Sequence, residues 1–143
     1  KYDYKLRWME RLRARAAELL KNEECALIAG DYNIIPQAED ATKPDAWRDD
    51  ALFRLESREA YRRILNLGYT GAFRAVEAGA GHYSLWDYQA GAWQKNNGIR
   101  IDHLMMSPEA ASRLCAADVD NAERGKERPS DHTPVYCDIT LPA

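Results

Sequence analysis

Three polar clusters carry the side chains in this sequence that could do chemistry. The first is Gly30-Asp31-Tyr32-Asn33, at the end of the apolar run Leu27, Ile28 and Ala29. The pattern predicts a short buried strand, with Gly30 turning the backbone so that Asp31 and Asn33 emerge together at its carboxyl end. Residues two apart in extended chain point the same way, so Asp31 could take a proton from a water while Asn33 donates hydrogen bonds to an anionic oxygen. Alone, such a segment is more often a strand end with Asx-turn residues. The second cluster is Asp102 in Ile99 to Met106, and the third is Ser130-Asp131-His132. Two Asp residues and a His at strand ends form the donor set of a phosphodiesterase that works with a divalent metal. His132 could stabilise or protonate a phosphoryl oxygen, Asp102 could hold its ring through the other nitrogen, and Asp131 could bind a hard cation through oxygen. Each has a plainer reading singly, as a cap or turn residue; their joint placement carries the inference.

The elements that must position these groups follow from periodicity. Trp8, Met9, Leu12, Ala16, Leu19 and Leu20 recur at steps of three and four, which predicts one face of a helix from Tyr4 to Lys21. A polar, irregular stretch runs from Gln37 to Asp50. Ser57 is the expected N-cap of a second helix with Leu55, Ala60, Tyr61, Ile64, Leu65 and Leu67, closed by Gly68. Residues 69–76 read as a short strand, and Ile99 to Met106 as a longer one after the turn signal Lys95-Asn96-Asn97-Gly98. Alternation puts Asp102 on one face with Leu104 and Met106, where a carboxylate is costly unless paired. Ser107-Pro108 opens a helix through Arg113, Leu114 to Val119 returns as a strand, and Val135 to Leu141 is the last strand. Tyr83 to Tyr88, aromatic and polar at once, is expected to anchor the core. Strands mixed with helices give an α/β (α+β) layered fold in one domain, residues 1–143.

Composition narrows the class. With 143 residues, 45% of them hydrophobic and 30% charged, the chain can bury one real core. A net charge of -3 excludes binding nucleic acid through overall positive charge, so any such contact is local. Residues 1–21 carry seven Lys or Arg against three acids, an excess of four that reads as a solvated helix face before a phosphate-facing one. Cys25, Cys115 and Cys137 are unclustered, which points to reduced thiols in a cytoplasmic protein instead of a disulfide framework or zinc site. No apolar run reaches the length of a membrane span, and the charged opening at Lys1, without an initiator Met, is expected of a piece of something longer.

Four motifs in order resemble one known family. Gly30-Asp31-Tyr32-Asn33-Ile34-Ile35-Pro36, Trp86-Asp87-Tyr88, Asn97-Gly98-Ile99-Arg100-Ile101-Asp102-His103 and Ser130-Asp131-His132-Thr133-Pro134-Val135 are similar to the later motifs of the exodeoxyribonuclease III (AP endonuclease) family of the endonuclease/exonuclease/phosphatase superfamily. Lys1 to Met9 resembles the segment after that family's central tyrosine motif. The resemblance implies half of a four-layer, deoxyribonuclease I-like α/β sandwich. It assigns Asp31 to the attacking water, Asn33 to the scissile phosphate, Asp102 and His132 to a hydrogen-bonded pair, and Asp131 to the metal, Mg2+ with Mn2+ as a substitute. Leu85, Trp86, Ile99 and Ile101 fall at or beside positions that line the family's pocket for a flipped-out abasic sugar. The implied substrate is duplex DNA, cut beside abasic sites or trimmed from 3' ends.

The same resemblance implies a missing first half, with an early Asn, the Glu that is the principal metal ligand, and a tyrosine. Glu77 and Glu109 do not fall at the place of that Glu. An uncovered sheet face is then expected to bind the first half or to self-associate, and the isolated chain to cleave DNA weakly. Two other readings stay open: a superfamily phosphatase acting on a phospholipid or inositol phosphate, and a non-catalytic DNA-binding fragment.

Overall fold

The computed structural model describes residues 1–141. Helix α1 (Tyr2–Lys21) leads into strand β1 (Leu27–Asp31); after two short 3-10 turns, Ala38–Asp40 and Pro44–Trp47, come α2 (Leu55–Asn66), β2 (Thr70–Gly71) and α3 (Ala72–Val76). Strand β3 (Asp102–Met106), helix α4 (Pro108–Ala111), β4 (Leu114–Val119), a 3-10 turn at Asn121–Gly125 and β5 (Val135–Ile139) complete the chain. Strands pair antiparallel in two sheets, β1-β3-β2 and β4-β5. Among the described residues no helix is long and apolar enough to cross a membrane.

One face of β1 is packed and the other is open, whereas β3 is covered on its second face too, where Leu104 and Met106 pack with Ala110, Leu114 and Ala117. Ile28 and Met105 point into a core with Met9 and Ala16 of α1, Ala60, Tyr61 and Ile64 of α2, and Tyr32, Ile34 and Tyr69. Met9 is 1% exposed, so truncating it to Ala should cost about 2–5 kcal/mol. The opposite face presents Leu27, Ala29 and Asp31 to solvent, with Leu27 47% exposed. This corrects the expected buried strand: α1 and α2 cover only one side of the sheet. Trp8 also leaves the expected core stripe, at 41% exposure, because the helix turns Met9 and Ala16 inward.

Other departures have local causes. Ser57 caps nothing; α2 begins at Leu55, and the buried Ser57 hydroxyl donates to the Ala51 carbonyl at 2.6 Å while lying 2.9 Å from the Tyr2 hydroxyl. Residues 69–76 form a two-residue strand and then a helix, because Ala72 and Phe73 bury their side chains, Ala72 in a cluster with Met106 and Ala110. Regular pairing in Ile99 to Met106 starts only at Asp102, since Ile99 makes isolated bridges to Ala41 and Leu85 and Arg100 turns to Asp40. Helix α4 stops at Ala111 and β5 at Ile139. Ser107 does cap α4, accepting from Ala110 N–H, and β4 spans the predicted residues.

Candidate active site

Register places the two acids. Asp31 and Asp102 face each other as the last pair of the β1–β3 ladder. Like charges in that position repel, and a third group must hold them. That group is His132, on the loop before β5. Its Nδ1 lies 2.9 Å from Asp102 Oδ2, and its Nε2 lies 3.9 Å from Asp31 Oδ2. Carboxylates only accept, so the Nδ1 proton is donated to Asp102 and Nε2 faces Asp31 and the open cleft. Asp31, Asp102 and His132 bring ligand atoms within 4.8 Å of one another.

A strut stitches the loop to the strand. Ser84, Leu85 and Trp86 run between them: Ser84 N–H and Leu85 N–H donate to the Ile99 carbonyl, Trp86 N–H to the Asp131 carbonyl, and Thr133 N–H to the Ser84 carbonyl. The buried Ser84 hydroxyl accepts from Ile101 and Asp102 N–H at 3.0 and 3.2 Å. Gly98 lets this strut pack closely, since a Cβ there would lie 2.8 Å from Trp86 Nε1 and Tyr83 Cβ. Sequence reasoning missed Ser84 as a site residue; its only signal was a small hydroxyl inside an aromatic run.

Asn33 does not continue the strand. Asp31 Oδ1 accepts the Asn33 N–H at 2.8 Å, an Asx turn that draws Asn33 to φ 50°. Asn tolerates that left-handed conformation, so the extended Asp31–Asn33 pair is replaced by a tight turn. One Asp31 oxygen is thereby fixed and the other is free toward His132. Lys5 of α1, another residue missed from sequence, donates to the Asn33 carbonyl and, at 3.0 Å, to the Ala51 carbonyl. Burial lowers its pKa against the opposing charges of Asp50 and Asp31.

The remaining expected residues separate into two groups. Leu85 and Ile99, with Trp47, wall a groove of about 270 Å³. Trp86 and Ile101 are 2% and 1% exposed and sit in the core beneath it, Trp86 between Tyr83 and Trp93 and donating Nε1–H to Asn96. They support the surface without lining it, and Ile99, itself 2% exposed, borders the groove with little of its side chain in the open. Asp131 lies outside the three-residue cluster, half-buried, and reaches it through its charge on His132.

The electrostatics follow burial and neighbours. Burial alone would lower the His132 pKa, but the hydrogen bond and charge of Asp102, with Asp31 and Asp131, outweigh it and the net shift is upward. Asp102 is also raised, first by burial, against hydrogen bonds from Ser84 and His132. The two directions pull on one pair; Asp102 is the deeper partner, so desolvation dominates there. Nε2 stands on the Asp31 side of the ring, and an open cleft of about 350 Å³ lies between Ala29–Asp31, Asp102 and Thr133–Val135. For a hard cation the donor set is partial. Two or three carboxylates face the cleft where about six oxygens are needed.

The comparisons fit this geometry. The exodeoxyribonuclease of Bacillus subtilis strain 168 is 35% identical over 140 residues, which are 97% of this chain and 54% of that relative. The AP endonuclease of Archaeoglobus fulgidus superposes with a TM-score of 0.92 at 31% identity, over 98% of this chain and 55% of its own. The 3' phosphatase NExo from Neisseria, bound to a product DNA hairpin, gives 0.94 at 30% identity, over 98% and 55%. The chain spans about half the length of the relatives it matches. Its fold is the mixed helix and antiparallel-sheet fold of AP endonucleases and deoxyribonuclease I-like proteins, over that half. The family model described as Endonuclease/Exonuclease/phosphatase matches residues 1–132, and the chain belongs to that family.

Proposed function

We propose that residues 1–143 form the carboxyl-terminal half of a cytoplasmic DNA-repair nuclease that hydrolyses phosphodiester bonds in duplex DNA, at abasic sites and from 3' ends. The observation that carries this is the Asp31, His132 and Asp102 arrangement, with 3.9 and 2.9 Å between successive groups. Asp31 Oδ2, free of the turn, takes the proton of the attacking water. His132 donates from Nε2 to a phosphoryl oxygen, and Asp102 fixes the ring and supports its charge. Asn33, held beside Asp31, contacts the phosphate, while Leu85 and Ile99 receive the sugar. Asp131 would hold part of a Mg2+ shell, with Mn2+ as a substitute; bound there, the cation would neutralise charge on the phosphoryl group. The other donors come from the first half of the domain, which covers the open face of β1, or from a second copy in its place. The Neisseria relative, described as a 3' phosphatase, favours a second reaction at the same site, removal of a 3' phosphate.

The test is cleavage of a duplex with one abasic-site analogue, with Mg2+ or EDTA, by this chain alone and mixed with the separately expressed first half. Mg2+-dependent cleavage confined to the mixture is expected. Binding without cleavage in the mixture would point to the DNA-binding reading, and rapid phosphate release from an inositol phosphate to the phosphatase reading.

A further inference from the structure

A sealed polar network lies behind the open trio, and the chemistry above makes no use of it. Asp40 has no exposed surface. Its Oδ1 accepts from Arg100 Nε at 2.7 Å and Arg74 Nη2 at 2.6 Å, its Oδ2 from Gln37 N–H at 3.1 Å, and its carbonyl from Arg100 N–H at 2.8 Å. Arg100, 3% exposed, continues through Nη1 to His103 Nδ1 at 3.2 Å. His103, 2% exposed, ends the chain at the Ile34 carbonyl, 2.8 Å from its Nε2. A carbonyl only accepts, so the ring proton is on Nε2 and the Nδ1 lone pair faces the guanidinium. The tautomer follows from the two partners. Tyr32 and Tyr61 pack edge-on against the ring, with centroids at 5.5 and 4.9 Å, and hold it in that plane.

The last link of this network, from His103 to the Ile34 carbonyl, sits beside the two acids of the site. His103 follows Asp102 directly and points to the opposite face of β3; Ile34 is three residues past Asp31. Beyond Asp31 the ladder ends, because the chain turns at Asn33. Among the described residues, the hydrogen bonds that join that loop to β3 and its approach are Tyr32 N–H to the Ile101 carbonyl, at 3.0 Å, and His103 to the Ile34 carbonyl. Asp31 and Asp102 meanwhile face each other as like charges.

We propose that Asp40, Arg100 and His103 form a brace that sets the spacing between Asp31 and the Asp102–His132 pair, with His103 as the positioning residue that couples the two strand ends. The inference rests on the reading of that trio as a phosphodiester-cleaving site. A buried ionic network is often no more stabilising than apolar packing of the same volume, so the place of its last link, from His103 to Ile34, beside the acids is what assigns it a role.

Two substitutions in the full chain separate positioning from packing. His103→Phe keeps a ring and removes both nitrogens. His103→Gln keeps an acceptor and a donor on one end group, which can reach Arg100 and Ile34. The direct readout is the His132 Nδ1 proton, seen by NMR as a downfield resonance slowed in exchange by its bond to Asp102; the folded state is checked by thermal unfolding. The resonance should vanish in His103→Phe and persist in His103→Gln. In the mixture with the first half, kcat should fall about tenfold or more in His103→Phe with KM unchanged, and recover in His103→Gln. If His103→Phe does not fold, Arg100→Lys replaces it; one ammonium cannot span Asp40 and His103, so the resonance should weaken. A His103→Phe or Arg100→Lys protein that keeps the resonance and kcat and loses only thermal stability overturns the proposal. If no protein cleaves DNA, the parent included, while the resonance behaves as expected, the nuclease reading fails and the brace stands.

Discussion

His103 and His132 stand on two sides of the same short strand, and their surroundings drive them in opposite directions. His103 has Arg100 against one nitrogen, a carbonyl against the other and no water, and burial with that guanidinium lowers its pKa to about 3. His132 is half-buried among three carboxylates, and their hydrogen bond and charge raise it despite the burial. One imidazole is pushed toward its neutral form and fixed by two partners, and the other is pushed toward its protonated form. The difference is set by the sign of the neighbours and by access to water. Asp40 and Asp31 repeat it: the first is sealed between two guanidinium groups, the second leaves one oxygen at the cleft.

The sharpest way to break the contrast is to empty the sealed side. Asp40→Leu leaves the buried Arg100 and the partly buried Arg74 without a counter-charge, and Arg74 Nε already lacks a partner. A loss of about 3–5 kcal/mol in denaturant unfolding is expected, against little change for an exposed carboxylate such as Asp45. Acid should act next. In the unfolded chain His103 takes its proton near pH 6.5, in the folded chain only near pH 3. Its support for folding is complete above pH 6.5 and is lost as pH falls toward 3, by on the order of 5 kcal/mol. His103→Gln should remove that portion of the acid sensitivity, read as the difference between the two unfolding curves. The smallest effect belongs to the open side. Because His132 is raised, its pairing supports folding in full below pH 6.5 and loses that support as pH climbs through the folded value. Asp102→Asn should move the His132 NMR titration midpoint down; an unchanged midpoint would leave the raised value without its cause.

What the sequence made legible follows the range of the interactions. Strand β4 was readable at both ends, and so was the Ser107-Pro108 start of α4, because local patterns decide them. Asp102 on an apolar strand face demanded a partner; the Ser130-Asp131-His132 cluster offered His132, and the motif resemblance implied the same pair. The same demand applied to Arg100 and His103 went unmade. Their partner, Asp40, lies 60 residues from Arg100 in an irregular stretch without periodicity. Asn33 escaped because the turn is made by a side-chain bond, which no alternation encodes. The burial of Trp86 and Ile101 depended on which wall of the groove faces water, a property of packing between distant segments.

The role of Asp31 as the base that activates water is tested most directly by the single-turnover cleavage rate of Asp31→Asn on the abasic-analogue duplex, with the first half and Mg2+ present. The carboxamide keeps the oxygen that accepts from Asn33 N–H and removes the proton acceptor facing His132. A fall of roughly 10²–10⁴-fold with DNA binding retained is expected. A rate within a few-fold of the parent would contradict that role and move the proton acceptor away from this trio.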